Sequence, residues 1–335
     1  MSAKFKSFFQ YVFIVFITGL LIWFSLRAVT PQQGENKWDY LLNAWGTADK
    51  RWLMAMAIVA IGSHLVRAVR WKMMLVPTGN STRTGDSFLS LMVGYLVNLV
   101  IPRGGELSRC YNLYRLDKTP VDVSFGTVVL ERIIDLIFLS TLIVISFALE
   151  SEKLFQFLET LPIKVTDHIS TGYFLFLALV VFVFLGVLVG WFVRKNERLL
   201  NFFRRTWEGF KNGFLSIFKL EQKGLFIFYS VLIWGLYFLM SYAVIMAFPS
   251  TAELGLRAVL SLFAIGAIAM AAPLPGGAGS YHVLVPAGLV FLYQLPQADA
   301  VAFTFIFHGW QTFIMIVVGA ISLLGTTILV KKRAS

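Results

Sequence analysis

The sequence predicts an all-α polytopic membrane protein. Its expected architecture is six full transmembrane helices plus two re-entrant helical hairpins in an inverted repeat, with eight plain crossings as the alternative. Three observations lead there. Of 335 residues, 58% are hydrophobic and 14% charged, against about 25% charged in an ordinary soluble domain. Apolar runs of roughly 20 residues, the length that crosses a bilayer, recur along the chain. Two further apolar stretches are cut by proline and glycine, at Pro102-Arg-Gly-Gly105 and at Pro273-Leu-Pro275-Gly-Gly-Ala-Gly279.

Full crossings are expected at 7–27, 53–75, 125–148, 172–193, 224–247 and 300–330. The first is read as a retained helix, because no small-residue cleavage site follows it. Regions 87–118 and 257–294 each hold an apolar arm of about 15 residues, a break and a second arm. At the helical rise such an arm covers about 22 Å, short of a hydrocarbon core of about 30 Å. Non-helical backbone at that depth is tolerated only inside protein or against a watery cavity. Both regions are therefore read as re-entrant hairpins.

Orientation follows from lysine and arginine. The loop 194–223 carries eight basic residues against three acidic ones, Lys4 and Lys6 open the chain, and Lys331, Lys332 and Arg333 close it. Loop 149–171 is acidic on balance. Basic loops face the cytoplasm, so both termini are expected there. The net charge of +11 is explained by this placement and by anionic lipid, with no nucleic-acid partner. Within 197–219, Leu199, Phe203, Trp207, Phe210, Phe214 and Phe218 form an apolar stripe, which predicts an amphipathic helix in the cytoplasmic headgroup plane. It would join a first repeat over 1–150 to a second over 151–330. A shift of 173 residues lays Pro102 on Pro275, Gly104 on Gly277 and Asp135 on His308. Inverted repeats of this kind underlie alternating access in secondary transporters.

Charges in lipid-spanning segments are expensive, so they mark a site. Gly104-Gly105 permits a sharp turn, and a helix restarting near Gly105 would aim free amides at a phosphate or carboxylate. Arg103 and Arg109 would add charge-assisted hydrogen bonds, with Glu106 able to pair with Arg109. On the next crossing Glu131 and Asp135 share a face and Arg132 reaches toward Asp135. These three, with His308 and Gln311 of the last helix, form a coupling or structural network. An arriving anionic headgroup would compete for an arginine, and the carboxylate left behind would take up a proton. Pro275, Gly276, Gly277 and Gly279 offer a second set of bare amides. Arg67 and Arg70 near the end of the second crossing are further substrate contacts, unless they only snorkel to headgroups. Four histidines and one cysteine show no zinc spacing, and nucleotide loops and nucleophile elbows are absent. No metal, cofactor or catalytic residue is expected. Cys110, being alone, excludes an internal disulfide.

Pro102-Arg-Gly-Gly-Glu106-x-x-Arg109, Glu131-Arg132-x-x-Asp135 and Pro275-Gly-Gly-x-Gly279, with Arg67-x-x-Arg70-Trp71, resemble the lysylphosphatidylglycerol synthase transmembrane-region family over nearly the whole chain. The resemblance implies a flippase-like lipid translocase rather than an enzyme. Its cargo would be aminoacyl-phosphatidylglycerol or a polyprenyl-phosphate lipid, moved between leaflets of the bacterial inner membrane. The partners are then membrane lipids with phosphate headgroups, with homo-oligomers and a separately encoded envelope-biosynthesis enzyme left open. No synthase domain follows, so lipid synthesis is not carried over, and His308 stands where relatives are expected to carry an arginine. The alternative is an integral-membrane enzyme or scaffold in lipid-linked envelope glycan synthesis.

Overall fold

The computed structural model describes residues 36–160, 197–271 and 277–334, together with Leu274 and a few helical positions between 16 and 26. The crossing expected at 172–193, most of the one at 7–27, and Pro275 and Gly276 lie outside the described residues. All regular structure described is helical: α1 (Lys37–Thr47), α2 (Lys50–Leu75), α3 (Thr84–Asn98), α4 (Gly105–Asp117), α5 (Val121–Thr160), α6 (Glu197–Phe214), α7 (Lys223–Ala247), α8 (Gly255–Ala271), α9 (Ser280–Tyr293) and α10 (Gln297–Ala334), with short 3-10 turns between some of them.

Among the described residues four segments are long and apolar enough to cross a membrane: Lys50–Thr78, Lys223–Ala247, Ala252–Met270 and Gln297–Arg333. Three of them match expected crossings. The fourth belongs to the second interrupted region, whose first arm, with the 3-10 turn before it, reaches 19 residues. Its second arm stays short, at 14 residues. α5 passes through the expected 125–148 and on to Thr160, across a kink at Glu150, whose φ/ψ of −139/39 is non-helical.

α2 and α7 lie antiparallel. The Asp49 amide donates to the Ala247 carbonyl at 2.7 Å, while at the far end Arg70 reaches Ser230. Asp49 also caps α2, accepting from the Arg51 amide at 2.8 Å. That cap satisfies one of the amides a helix start leaves free.

The first interrupted region folds back on itself. Arg333, at the end of α10, grips Asp86 in the first turn of α3 with two bonds of 3.0 Å. It also donates to the carbonyl of Leu116, in the last turn of α4, at 2.8 Å. The hairpin therefore opens at the end of the bundle where α2 stops and α5 and α7 start. Its tip forms because Pro102 has no amide to continue α3. Tight turns follow instead, closed by Ile101 on Val97 (2.7 Å) and Gly104 on Ile101 (3.0 Å). α4 restarts at Gly105, as the sequence predicted.

The second interrupted region opens at the opposite end. Glu150 accepts from Ser261 of α8 at 2.5 Å and from Tyr293, the last residue of α9, at 2.8 Å. Ser280 closes its tip by donating to the Ala269 carbonyl at 2.7 Å. Each hairpin packs against the closing helix of the other half, α3 on α10 and α8 on α5. Exchanging α2 with α7, hairpin with hairpin and α5 with α10 maps these principal contacts onto one another.

Lipid tails are as apolar as leucine, so such helices associate through close packing rather than by leaving water. α6 shows this. A Cβ at Gly213 would meet the Val123 carbonyl at 2.0 Å, and one at Gly126 the Phe210 carbonyl at 2.2 Å. Phe210 lies 6.4 Å, ring to ring, from Phe125. The predicted amphipathic helix thus docks on the start of α5 through Phe210 and Phe214, leaving Trp207 and Phe218 of its stripe exposed.

Candidate arginine-carboxylate site

Three arginines and two carboxylates meet where α2, α4, α5 and α7 converge. Arg67 Nε donates to Glu131 Oε1 at 2.6 Å, and its Nη2 pairs with Asp135. Arg70 Nη2 reaches Asp135 Oδ1 at 2.7 Å and Glu131 Oε1 at 3.3 Å. Arg109 pairs with Glu131 Oε2. Neutral partners complete the shell: Tyr237 accepts from Arg67 at 2.9 Å and Ser230 from Arg70 at 3.3 Å. Arg109 stacks 4.2 Å over the Trp71 ring, whose indole donates to Thr127 at 2.9 Å. The three arginines and Glu131 are at most 4% exposed. The Asp135 side chain is 13% exposed.

Helix geometry brings these groups together. Arg67 and Arg70 are three apart on α2, Glu131 and Asp135 four apart on α5, so each pair shares a face. α4 holds Arg109 in place through the close contact of Gly105 with Gly94. The charges do not balance. Three guanidiniums against two carboxylates leave +1 buried, and the Nε–H groups of Arg70 and Arg109 have no acceptor. A brace whose only task is to join helices has no use for the surplus cation, since burying charge costs several kcal/mol per ion. An anion complements it.

Several sequence expectations change here. Glu106 pairs with Arg132 at 2.8 Å rather than with Arg109, and Arg132 therefore does not serve Asp135. This pair is the more exposed one and leaves the surplus of +1 unchanged. Arg67 and Arg70 do not snorkel to headgroups; they are the cations of Asp135 and Glu131. Each carboxylate has at least two cationic neighbours, so an incoming anion can use the surplus without stripping either. The expected release-and-protonation step loses its motive.

Arg103 is exposed at the hairpin tip with φ of +58, a conformation costing a non-glycine residue about 1 kcal/mol. The first amide of α4, that of Gly105, is already taken by Asn98 Oδ1 at 2.7 Å, so Gly104-Gly105 offers fewer free amides than predicted. In the second hairpin Gly277 and Gly279 adopt positive φ, and the Gly279 amide donates to His282 Nδ1 at 3.3 Å. His308 belongs to a second cluster: its ring stacks on Tyr281 at 5.3 Å and lies 4.8 Å from His282. Gln311 is half-buried one turn further along α10. Ser230, Tyr237 and Asn98 were missed from the sequence, where serine and tyrosine in an apolar helix carry no distinguishing signal.

A buried arginine-carboxylate cluster beside an interrupted helical hairpin, in an all-helical multi-pass bundle, defines the class: an integral membrane protein. The family description "Lysylphosphatidylglycerol synthase TM region" matches residues 11–319, and the chain belongs to that family. A UPF0104 membrane protein of Methanocaldococcus jannaschii is 28% identical over 100 residues. That match covers 29% of this chain and 30% of the relative, so the chain spans under a third of the curated relative it matches. No solved structure matches.

Proposed function

We propose that this chain is a lipid translocase that moves a phosphate-headed lipid between the leaflets. The observation that carries the reading is the surplus guanidinium, buried with two unused Nε–H donors. Membrane lipids are the anions present at that depth, and a phosphodiester supplies one negative charge and several acceptor oxygens. Arg67, Arg70 and Arg109 would hold the phosphate, with Arg103 meeting it at the hairpin tip.

The two hairpins opening at opposite ends, and contacts that map onto one another between halves, support an inverted repeat with re-entrant segments. Such a design lets one half rock against the other around a fixed site. Lys72, Arg83, Arg115, Lys118 and the basic residues of α6 gather at the end where the first hairpin opens. That gathering supports a cytoplasmic assignment for this end and for the C-terminus.

Reconstituted protein in liposomes carrying acyl-labelled phosphatidylglycerol and an impermeant quencher tests the reading. Label should become exposed from the inner leaflet faster than in empty liposomes, with the lipid recovered chemically unchanged. Exposure at the empty-liposome rate, or conversion of the lipid, contradicts it.

A further inference from the structure

A layer of polar groups flanks the arginine cluster and meets it through the bond of Arg67 to Tyr237. His64 sits on α2 one turn before Arg67, on the same face, and is 4% exposed. Both of its ring nitrogens are buried without a hydrogen-bond partner. A neutral imidazole has one donor and one acceptor, so both capacities stand unused. Its ring lies 4.7 Å from that of Tyr95 on α3. Across the layer Tyr237 takes a bond from Arg67 at 2.9 Å. Trp234, 5.8 Å from Tyr237 ring to ring, has a buried indole N–H that also lacks an acceptor.

Helix rise places these groups at neighbouring levels, alongside the cluster's carboxylates and beyond the arginine backbones. His64, Tyr95 and Trp234 lie about 16 Å along their helices from the end where the first hairpin opens, and Tyr237 and Asp135 about 21 Å. Arg70 and Arg67 lie nearer that end, at about 8 and 12 Å. A lipid phosphate on the arginines would carry its headgroup substituent into this second layer.

The chemistry of the layer selects that substituent. Imidazole, indole and phenol groups exchange hydrogen bonds with hydroxyls. The layer holds no unengaged carboxylate, because Asp135 and Glu131 already serve the arginines, and the neighbouring surplus of +1 repels an ammonium. We infer that the translocated lipid carries an uncharged polyhydroxyl headgroup, glycerol or a sugar, which His64 reads by hydrogen bonding. The inference rests on the translocase reading and narrows its substrate.

The test is a binding titration of the full-length protein in micelles. The ligands are phosphatidylglycerol, phosphatidylmethanol (the same charge without hydroxyls), lysyl-phosphatidylglycerol and a hexosyl polyprenyl phosphate. Either hydroxylated lipid should bind about tenfold tighter than phosphatidylmethanol, the scale of one or two hydrogen bonds. Whichever of the two is tighter identifies the polyol. Lysyl-phosphatidylglycerol should bind no better than phosphatidylmethanol. His64→Leu should bring the hydroxylated lipid down to phosphatidylmethanol, leave phosphatidylmethanol unchanged, and not lower the melting temperature. His64→Gln, which keeps a donor and an acceptor, should recover part of the preference.

Equal binding of phosphatidylglycerol, the hexosyl lipid and phosphatidylmethanol by the unaltered protein overturns the inference, since the layer then holds only water. Tight lysyl-phosphatidylglycerol binding overturns it too, and so does a preference that survives His64→Leu. All three leave the translocase reading standing. Failure to bind any of the four phosphate-headed lipids removes that reading, and this inference with it.

Discussion

Replacing Glu131 with glutamine is expected to cost about 3–5 kcal/mol of stability, the range for removing one partner from a buried ion network. Glu131 is 1% exposed and neutralises Arg67, Arg70 and Arg109 together. The amide keeps the volume but leaves three guanidiniums facing Asp135 alone, a buried surplus of two charges. For a chain of this size the melting temperature in detergent should fall by about 10 °C. Asp135→Asn should cost less, because Asp135 is the more exposed carboxylate and both its arginines retain Glu131. An unchanged melting temperature for Glu131→Gln would mean that the network carries no folding energy.

Gly105→Ala should be the most damaging single methyl addition in the first hairpin. The added carbon would lie 2.2 Å from the Gly94 carbonyl oxygen and 2.5 Å from the Asn98 side chain. A backbone oxygen cannot swing aside, so α4 must move away from α3. The cost is about 3 kcal/mol or more, the upper end of overpacking. Arg109, one turn along α4, would be drawn off Glu131 at the same time. Gly94→Ala meets the Gly105 carbonyl at 2.9 Å, and Gly104→Ala meets the Ile101 side chain at 2.8 Å, which can shift. Melting temperatures should therefore rank Gly105→Ala lowest, Gly94→Ala next and Gly104→Ala nearest the parent. An unperturbed Gly105→Ala would show that the two helices do not approach as described.

The sequence makes the punctuation of this fold legible. Pro102 ends α3 and Gly105 begins α4 because a missing amide and a sharp turn are local facts. The facing of Glu131 and Asp135 also follows from spacing within one helix. Contacts between helices are harder to read. Arg132 and Asp135 satisfy the i,i+3 rule, yet Glu106 on a neighbouring helix is the better partner, and no spacing within α5 shows it. Arg67 and Arg70 stand out as charges in a span, but their partners lie more than 60 residues away. The sequence therefore left snorkelling to headgroups as a ready explanation for both. His64 had a visible signal, an imidazole one turn from a buried arginine. Tyr95, Trp234 and Tyr237 had none, being ordinary aromatics in apolar helices. Glu150 falls at the expected end of a crossing, and only its contacts with Ser261 and Tyr293 reveal it as the clasp of the second hairpin.

The central claim is that the surplus guanidinium holds a lipid phosphate, and Arg109→Met tests it most directly. The substitution leaves Glu131 paired with Arg67 and Arg70 and sets the cluster at two cations to two carboxylates. Native mass spectrometry of the purified protein with phosphatidylmethanol or uncharged diacylglycerol reads the consequence. The parent should retain phosphatidylmethanol and not diacylglycerol. Arg109→Met should bind phosphatidylmethanol at least tenfold more weakly, as for loss of a charge-assisted hydrogen bond, and Arg109→Lys should keep most of the affinity. Equal retention of phosphatidylmethanol by the parent and Arg109→Met, or of diacylglycerol and phosphatidylmethanol by the parent, would contradict the account.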